Sequence, residues 1–298
     1  MSNPTTSLTR SLSIAASTEQ AYSAMSLPAE IVKWWGEHAD VELVPGGPYK
    51  LWGPAMFANP SEDTADQTLL EFTPNARLLI RWPWRTHFVS DGSVPRVVVW
   101  EVLFTSEGEG CRVTVNLSWE GGGTMSGYSL DDTVQVTLYC LRSYLESGTV
   151  EGRLAYSGGA PVIQVGIQIH ASADDVWHAL TDPTTMDRWV SSGASVDLSE
   201  GGRYSYGWTE EVNGERVTAG PTIITELKEK QRLSHGWTYG DEPPTQVTWE
   251  LKTDRGSTEL TLTHSGFGVA LISEDYRQGW IAFLFKAQSL LEGRRMVE

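Results

Sequence analysis

Apolar and polar residues alternate along several segments in the second half of the chain, as in β-strands with one buried face. The first segment is VIQVGIQIH, residues 162–170, in which Ile163, Val165 and Ile167 share a face. Four later segments have the same period, with apolar faces formed by Tyr204, Tyr206 and Trp208, by Leu233, His235 and Trp237, by Val247, Trp249 and Leu251, and by Leu260, Leu262 and His264. The pattern predicts a run of antiparallel strands.

Three other segments have the period of amphipathic helices. A short helix is expected after Ser172, a candidate N-cap, and Pro183 is expected to end it before a second short helix. A long helix is expected after Ser273, with Gly293 as its stop. Its apolar positions are spaced i, i+4, i+7 and i+11, at Trp280, Leu284, Ala287 and Leu291. A curved sheet that grips this helix would bury both elements, which predicts an α+β fold.

The first half of the chain repeats this pattern. VELVPGGPYKLWG, residues 41–53, and VDLSEGGRYSYGW, residues 196–208, stand 155 positions apart, and Trp34 precedes Trp189 by the same distance. Further on, Trp100 aligns with Trp249 at an offset of 149. A repeat of this length indicates duplication of a whole domain. We expect domains at residues 1–150 and 162–298, joined by a linker at 151–161.

Several separated motifs of the second copy carry a family resemblance. VDLSEGGRYSY, ITELKEKQRLSHGW, STELTLTHSGF and GWIAFLFKAQSLLE occur in this order. The copy resembles the SRPBCC superfamily (START-like helix-grip proteins) and, within it, the branch named for the activator of heat shock protein 90 ATPase homologue. The first copy resembles the family through VELVPGGPY and EFTPNARLLIRW, but it has SWEGGG in place of HSGF and Val134 in place of Trp280.

The resemblance implies two tandem helix-grip domains. Each would be a curved antiparallel sheet around a long C-terminal helix, with two short helices after the first strand. It also implies an elongated cavity between sheet and helix that binds apolar small molecules.

The charge balance narrows the range of partners. The net charge is −16, and residues 1–155 and 156–298 each carry −8. Such a surface repels nucleic acid and anionic lipid, so neither partner is expected, while a protein partner is neither excluded nor indicated. The two cysteines, Cys111 and Cys140, lack a metal-binding spacing, and the N-terminus lacks an apolar signal segment. We expect a cytoplasmic protein with no metal site and no cofactor.

Thirteen tryptophans are many for 298 residues, and periodicity turns several of them inward. The inward aromatic residues either line a ligand site or fill the core, which aliphatic residues usually do. The ligand-binding candidates of the second copy are Tyr204, Tyr206, Trp208, His235, Trp237, Trp249, His264, Phe267 and Trp280. The weaker candidates of the first copy are Tyr49, Trp82 and Trp100.

Three functions remain open from the sequence. The first is binding, sequestration or carriage of a hydrophobic, aromatic small molecule. The second is a polyketide aromatase/cyclase-like enzyme in which His264 or Tyr206 moves protons, although a structural role satisfied by the backbone is favoured for His264 and for His235. The third is a co-chaperone that activates a chaperone ATPase, which only the family name suggests.

Overall fold

The protein is described by a computed structural model that covers residues 5–56, 66–83, 97–120, 130–150, 162–212, 215–239, 243–268 and 270–298. Two compact units divide the chain. The first comprises residues 1–157 together with 297–298, and the second comprises residues 158–296. The expected linker at 151–161 lies outside the described residues.

The first unit combines a five-stranded antiparallel sheet with a long terminal helix. The strand order of the sheet is β1-β7-β6-β5-β4, and β2 pairs with β3 in a separate hairpin. Its elements are β1 (Thr5–Ile14), α1 (Thr18–Ser26), α2 (Pro28–Trp34), β2 (His38–Val41), β3 (Tyr49–Trp52), a 3-10 turn (Pro54–Met56), β4 (Thr68–Thr73), β5 (Arg77–Pro83), β6 (Val97–Glu107), β7 (Gly110–Glu120) and α3 (Leu130–Ser147).

The second unit repeats this topology. Its five-stranded sheet has the order β13-β14-β15-β16-β8, and two short hairpins pair β9 with β10 and β11 with β12. Its elements are β8 (Val162–Ile169), α4 (Ala173–Thr181), α5 (Pro183–Met186), β9 (Ser195–Val196), β10 (Tyr204–Ser205), β11 (Thr209–Val212), β12 (Glu215–Thr218), β13 (Gly220–Lys228), β14 (Arg232–Thr238), β15 (Thr245–Asp254), β16 (Ser257–Ser265) and α6 (Ala270–Leu291). The predicted α+β fold of two tandem helix-grip domains is confirmed.

Each terminal helix packs against the sheet of its own unit, α3 against β1 and α6 against β8. In α6 the first three positions of the predicted apolar stripe are buried and the fourth, Leu291, is half-buried. The same spacing in α3 has the same burial, at Val134, Leu138, Leu141 and Leu145. Gly148 and Gly293 follow the helices with φ values of 73° and 65°, the left-handed conformation that ends a helix and suits glycine. The matched apolar spacing therefore has the same packing role in both units.

Local differences from the predicted elements are small. Pro183 is the first residue of α5 rather than the end of α4, a position where its fixed φ and missing N–H cost nothing. The strand expected through Trp208 ends at Ser205, because the chain turns at Gly207 with a φ of 73°. A Cβ at Gly207 would lie 2.3 Å from the Ser192 carbonyl oxygen, so the turn requires glycine.

The paired strands show which residues of the two units are equivalent. Leu69 of β4 pairs with Ile80 of β5, and Ile224 of β13 pairs with His235 of β14. Both equivalent pairs, Leu69 with Ile224 and Ile80 with His235, stand 155 positions apart. The offset of 155 seen in the sequence therefore holds through β4 and β5, which correspond to β13 and β14 of the second unit.

The next strand changes the offset. Ile80 pairs with Trp100 in the first unit, and His235 pairs with Val247 in the second. Trp100 thus corresponds to Val247, at an offset of 147. The sequence alignment of Trp100 with Trp249 is wrong by two positions, because both tryptophans lie on the same face of the strand and periodicity alone does not separate them.

The Gly-Gly corner is the same in both units. Gly46 and Gly201 both have a φ of 82°, and the N–H of each donates to the adjacent long strand at 2.7 and 2.8 Å. The second glycine of the corner, Gly202, is required for lack of space rather than for its φ. A Cβ at this position would lie 2.3 Å from the Asp197 carbonyl oxygen. The corner directs the chain into the short strand that begins with Tyr49 or Tyr204.

Candidate functional site

Tyr204 begins the aromatic sequence after the corner, and its role is shared by both units. Its side chain is fully buried, and its hydroxyl donates to the carbonyl of Leu180 at the end of α4, at 2.7 Å. Tyr49 is also fully buried, and its hydroxyl donates to the equivalent carbonyl of Met25. Burial raises the pKa of both phenols. A bond present in both units ties the short strand to the first helix and belongs to the scaffold.

Trp34 and Trp189 form a second duplicated contact. The Trp34 indole donates to the Ala24 carbonyl at 2.9 Å, and the Trp189 indole donates to the Ala179 carbonyl at 3.0 Å. Both side chains are buried. Each indole N–H is thus satisfied by a carbonyl of the first helix of its own unit, α1 or α4, as a buried indole requires. These tryptophans join the short helices of each unit.

The predicted ligand-binding residues of the second unit lie together. We define the aromatic cluster as eleven side chains joined by ring contacts: Tyr204, Tyr206, Trp208, His235, Trp237, Trp249, His264, Phe267, Tyr276, Trp280 and Phe283. Trp189 and Tyr239 extend the set through Trp249 and Tyr276. The members of the cluster come from the segment after the corner, from β14, β15, β16 and the residues just after it, and from α6. The sheet and the terminal helix therefore meet through aromatic rings.

Trp237 is the centre of the cluster. It is buried, and its ring centre lies 4.9 Å from that of Trp280 and 5.8 Å from that of Trp208. Further ring contacts, with centre distances of 5.5 to 6.4 Å, join it to His264, Tyr276, Tyr206 and His235. Most of these are edge-to-face contacts, the geometry that aromatic pairs prefer.

Three members of the cluster are only half-buried: Trp208, Tyr276 and Phe283. Trp208 stacks on Phe283 with ring centres 5.5 Å apart, and Tyr276 contacts Trp237 at 5.9 Å. We call these three side chains the rim. The cluster thus extends from solvent at the rim to the fully buried rings of Tyr204 and Trp249.

His264 is fully buried, and both of its ring nitrogens have partners. The Trp280 indole N–H donates to Nδ1 at 3.0 Å, and an indole nitrogen can only donate. The proton of the neutral ring must therefore be on Nε2, which donates to Thr245 Oγ1 at 2.8 Å. Burial lowers the pKa of His264 to about 3, and the neighbouring His235 adds to the decrease. The ring is neutral and its lone pair is engaged.

His235 has the opposite tautomer. Its Nε2 accepts a long 3.4 Å contact from the Trp249 indole N–H, so its proton is on Nδ1, which donates to the Gly236 carbonyl at 3.1 Å. Burial lowers the pKa of His235 to about 4. Both histidines therefore match the structural role that the sequence favours, and neither is poised to accept a proton at neutral pH.

Two buried polar groups of the cluster lack a hydrogen-bond partner within the described residues: the Tyr206 hydroxyl and the Trp237 indole N–H. Burial raises the pKa of Tyr206, with smaller opposing effects of Tyr204 and Trp249, whose side chains lie nearby without bonding geometry. A buried polar group without a partner costs roughly 1–3 kcal/mol, so two such groups on contacting rings are unusual.

The first unit has an aromatic core of different chemistry. Trp35, Trp82 and Trp100 are in mutual contact with ring centres 5.7 to 6.2 Å apart, and Tyr49 contacts Trp82 at 6.4 Å. Tyr49 and Trp100 are buried, whereas Trp82 is half-buried. The three candidate residues of this unit are thus brought together.

Three polar members of the cluster, Tyr206, His235 and His264, have no polar counterpart in the first unit. The register places Ile80 at the position of His235 and Leu117 at that of His264. The offset of 155 places Leu51 at the position of Tyr206. The second unit alone combines aromatic rings with hydroxyl and imidazole groups at these sites.

Tyr276 and Phe283 are members of the cluster that were not predicted from the sequence. Both lie on α6, at the spacing i and i+7, with Trp280 at i+4 between them. This spacing is the helical stripe that faces the sheet, so it could have identified them. Thr245, the partner of His264, carries no sequence signal because a single threonine at the start of a strand is ordinary.

No group of three or more His, Cys, Asp or Glu side chains that could hold a metal ion occurs within the described residues. His170, which lies between β8 and α4, contacts the Ser257 hydroxyl at 3.1 Å. Cys111 and Cys140 are buried free thiols. In the described part of the chain, no helix has the length and apolar character needed to cross a membrane.

Several solved structures are similar to this chain. CalU16 from Micromonospora echinospora is 24% identical, with a TM-score of 0.38 and coverage of 45% of this chain and 76% of that chain. DynU16, a protein in the dynemicin biosynthetic locus, is 18% identical, with a TM-score of 0.35 and coverage of 98% and 99%. The Aha1 dimer from Colwellia psychrerythraea is 22% identical, with a TM-score of 0.35 and coverage of 44% and 96%. No curated protein matches the chain.

The family comparison agrees with the duplication. The family model described as Activator of Hsp90 ATPase homolog 1-like protein matches residues 15–143 and again residues 170–292. The two matches together span more than half of the chain, and each falls within one of the two units. The chain therefore belongs to the Activator of Hsp90 ATPase homolog 1-like family and contains two tandem domains of it.

Proposed function

We propose that the second unit binds a hydrophobic, aromatic small molecule at its aromatic cluster. The observation that carries this proposal is the path of rings from the half-buried rim to the buried Trp237. Ligand sites in proteins are lined mostly by apolar and aromatic side chains with a few polar groups. Trp208 and Phe283 supply stacked rings that a planar ligand can extend.

The sheet positions the site, and the terminal helix closes it. Trp237 comes from β14 and Trp280 from α6, and their ring centres are 4.9 Å apart. A molecule that enters between Trp208 and Tyr276 would lie against Trp237 and exchange water for aromatic surface. Burial of a ring system at about 25 cal/mol per Å² is sufficient for micromolar affinity after association costs.

The enzyme hypothesis has less support. A general base needs a free lone pair and a pKa near the working pH, whereas His264 accepts from Trp280 and has a pKa lowered to about 3. Burial raises the pKa of Tyr206, so its phenol is a poor proton donor at neutral pH. The co-chaperone hypothesis is suggested by the family name alone, and no contact described above within the described residues supports it.

The test is titration of the full chain with Nile red, a neutral dye whose emission rises in apolar sites. We expect Trp208→Ala to weaken binding about tenfold, since loss of an aromatic contact and its buried area removes roughly 1.4 kcal/mol. Trp52→Ala is the matched control, because Trp52 is a half-buried tryptophan of the first unit that stacks on His38. Equal affinities of the wild type and Trp208→Ala would refute the proposal.

A further inference from the structure

The unsatisfied donors inside the aromatic cluster specify the ligand further than its apolar character does. We propose that the second unit selects neutral aromatic molecules that carry a carbonyl-type oxygen, which accepts a hydrogen bond from the Trp237 indole N–H. This inference rests on the proposed function, because it concerns the molecule bound at the same rings.

Trp237 fixes the polarity of the missing partner. An indole N–H donates and never accepts, so the group that satisfies it must be an acceptor. No acceptor meets it among the described residues, although the side chain is 4% exposed and its nitrogen is buried. Native proteins leave few such groups unpaired, and ligands or ordered water usually account for them.

Tyr206 supplies a second buried donor, on a ring that contacts Trp237. Its ring centre lies 6.2 Å from that of Trp237, and its hydroxyl is buried and also unpartnered among the described residues. A carbonyl oxygen has two lone pairs and can accept two hydrogen bonds. An oxygenated ring system therefore suits this pair of groups better than a hydrocarbon does.

The charge state of the surroundings favours a neutral ligand. The two histidine rings in contact with Trp237, His235 and His264, are held neutral, so they offer no cation to a buried carboxylate. A buried ion without a partner is costly. The ammonium of Lys286 lies 5.2 Å from the Phe283 ring, at the rim rather than against Trp237. The net charge of −16 further disfavours anions.

The experiment compares 9-fluorenone with fluorene, which differ by one carbonyl oxygen on the same rings. The full chain is labelled with ¹⁵N in its indole groups, and Trp237→Phe identifies the Trp237 resonance. We expect 9-fluorenone to bind about tenfold more tightly than fluorene and to move the Trp237 N–H proton resonance downfield. A carboxylated fluorenone should bind more weakly than 9-fluorenone.

Two conservative variants separate the cluster from the scaffold. Tyr206→Phe removes an unpartnered hydroxyl and should reduce the preference for the ketone. Tyr22→Phe is the matched control, because it removes a buried hydroxyl of the first unit that is also unpartnered among the described residues, and it should leave the preference unchanged.

The outcomes distinguish the two proposals. If neither compound binds the second unit, the proposed function fails and this inference fails with it. If both bind equally and the Trp237 N–H does not move, the ligand is apolar only, water satisfies the indole, and the acceptor inference alone is overturned. Tighter binding of the carboxylated compound would overturn the neutral ligand class.

Discussion

The Trp280 indole N–H donates to Nδ1 of His264 across 3.0 Å and thereby joins the terminal helix of the second unit to strand β16. The contact holds the imidazole in its neutral form with the proton on Nε2, where Thr245 accepts it. A polar bond inside an otherwise apolar interface defines one orientation of the helix against the sheet. In the first unit, Val134 occupies the corresponding position on the helix stripe and makes no such bond.

Acid should destabilise the second unit through its two histidines. Their pKa values in the folded state, about 3 for His264 and about 4 for His235, lie below the ordinary value of 6.5. The unfolded chain therefore binds protons first as the pH falls, and the stability present above pH 6.5 is lost towards pH 3. Each histidine contributes a slope of up to about 1.4 kcal/mol per pH unit.

The measurement is the free energy of unfolding by urea between pH 7 and pH 4. The variant His235→Ile/His264→Leu takes its side chains from Ile80 and Leu117 of the first unit and should have a shallower slope than the wild type. Equal slopes would show that neither histidine is buried in its neutral form.

Trp280→Ala should destabilise the second unit more than Val134→Ala destabilises the first. Loss of a buried tryptophan costs roughly 3–5 kcal/mol, and here it also leaves Nδ1 of His264 without its donor. Val134 is fully buried but loses only two methyl groups. Urea unfolding of the full chain measures both losses. Equal losses would mean that Trp280 does not support the core.

Two neighbouring tyrosines should respond differently to removal of the hydroxyl. Tyr204→Phe leaves the Leu180 carbonyl without its donor and should cost about 1 kcal/mol. Tyr206→Phe removes a buried group that has no partner among the described residues, and should be neutral or stabilising. Thermal unfolding compares the two variants without ligand. A larger loss for Tyr206→Phe would reveal a partner for its hydroxyl.

Alanine should be tolerated unequally at the two glycines of the corner. A Cβ at Gly201 meets nothing within 4 Å, so the cost arises only from its φ of 82° and should be about 1 kcal/mol. A Cβ at Gly202 would lie 2.3 Å from the backbone oxygen of Asp197, which forces the chain to move. We expect Gly202→Ala to lower the melting temperature more than Gly201→Ala, and the reverse order would contradict the corner geometry.

The sequence predicted the fold well because its signals are local or periodic. Ser172 caps α4 as expected, with its hydroxyl accepting from the Asp175 N–H. The apolar stripe at Trp280 faces the sheet because helical spacing determines a face. The alignment of Trp100 with Trp249 was wrong because strand register depends on pairing with a neighbour, and a shift of two residues preserves the face.

The site was predicted as a set of residues but not as a set of bonds. Period-two patterning placed His235 and His264 inward, and both are fully buried. Their tautomers depend on Trp249 and Trp280, which are 14 and 16 residues away in sequence and which no local pattern connects to them. The unsatisfied state of Tyr206 and Trp237 is likewise a property of the packed interior.

The close spacing of the indoles has a spectroscopic consequence. The ring centre of Trp280 lies 4.9 Å from that of Trp237 and 5.7 Å from that of Trp249. The ring centre of Trp208 lies 5.8 Å from that of Trp237. Chromophores at such separations exchange excitation energy, so light absorbed by one is shared among the others before emission. The four indoles should therefore emit as one unit, and a molecule that quenches Trp208 at the rim would darken buried tryptophans that it never touches.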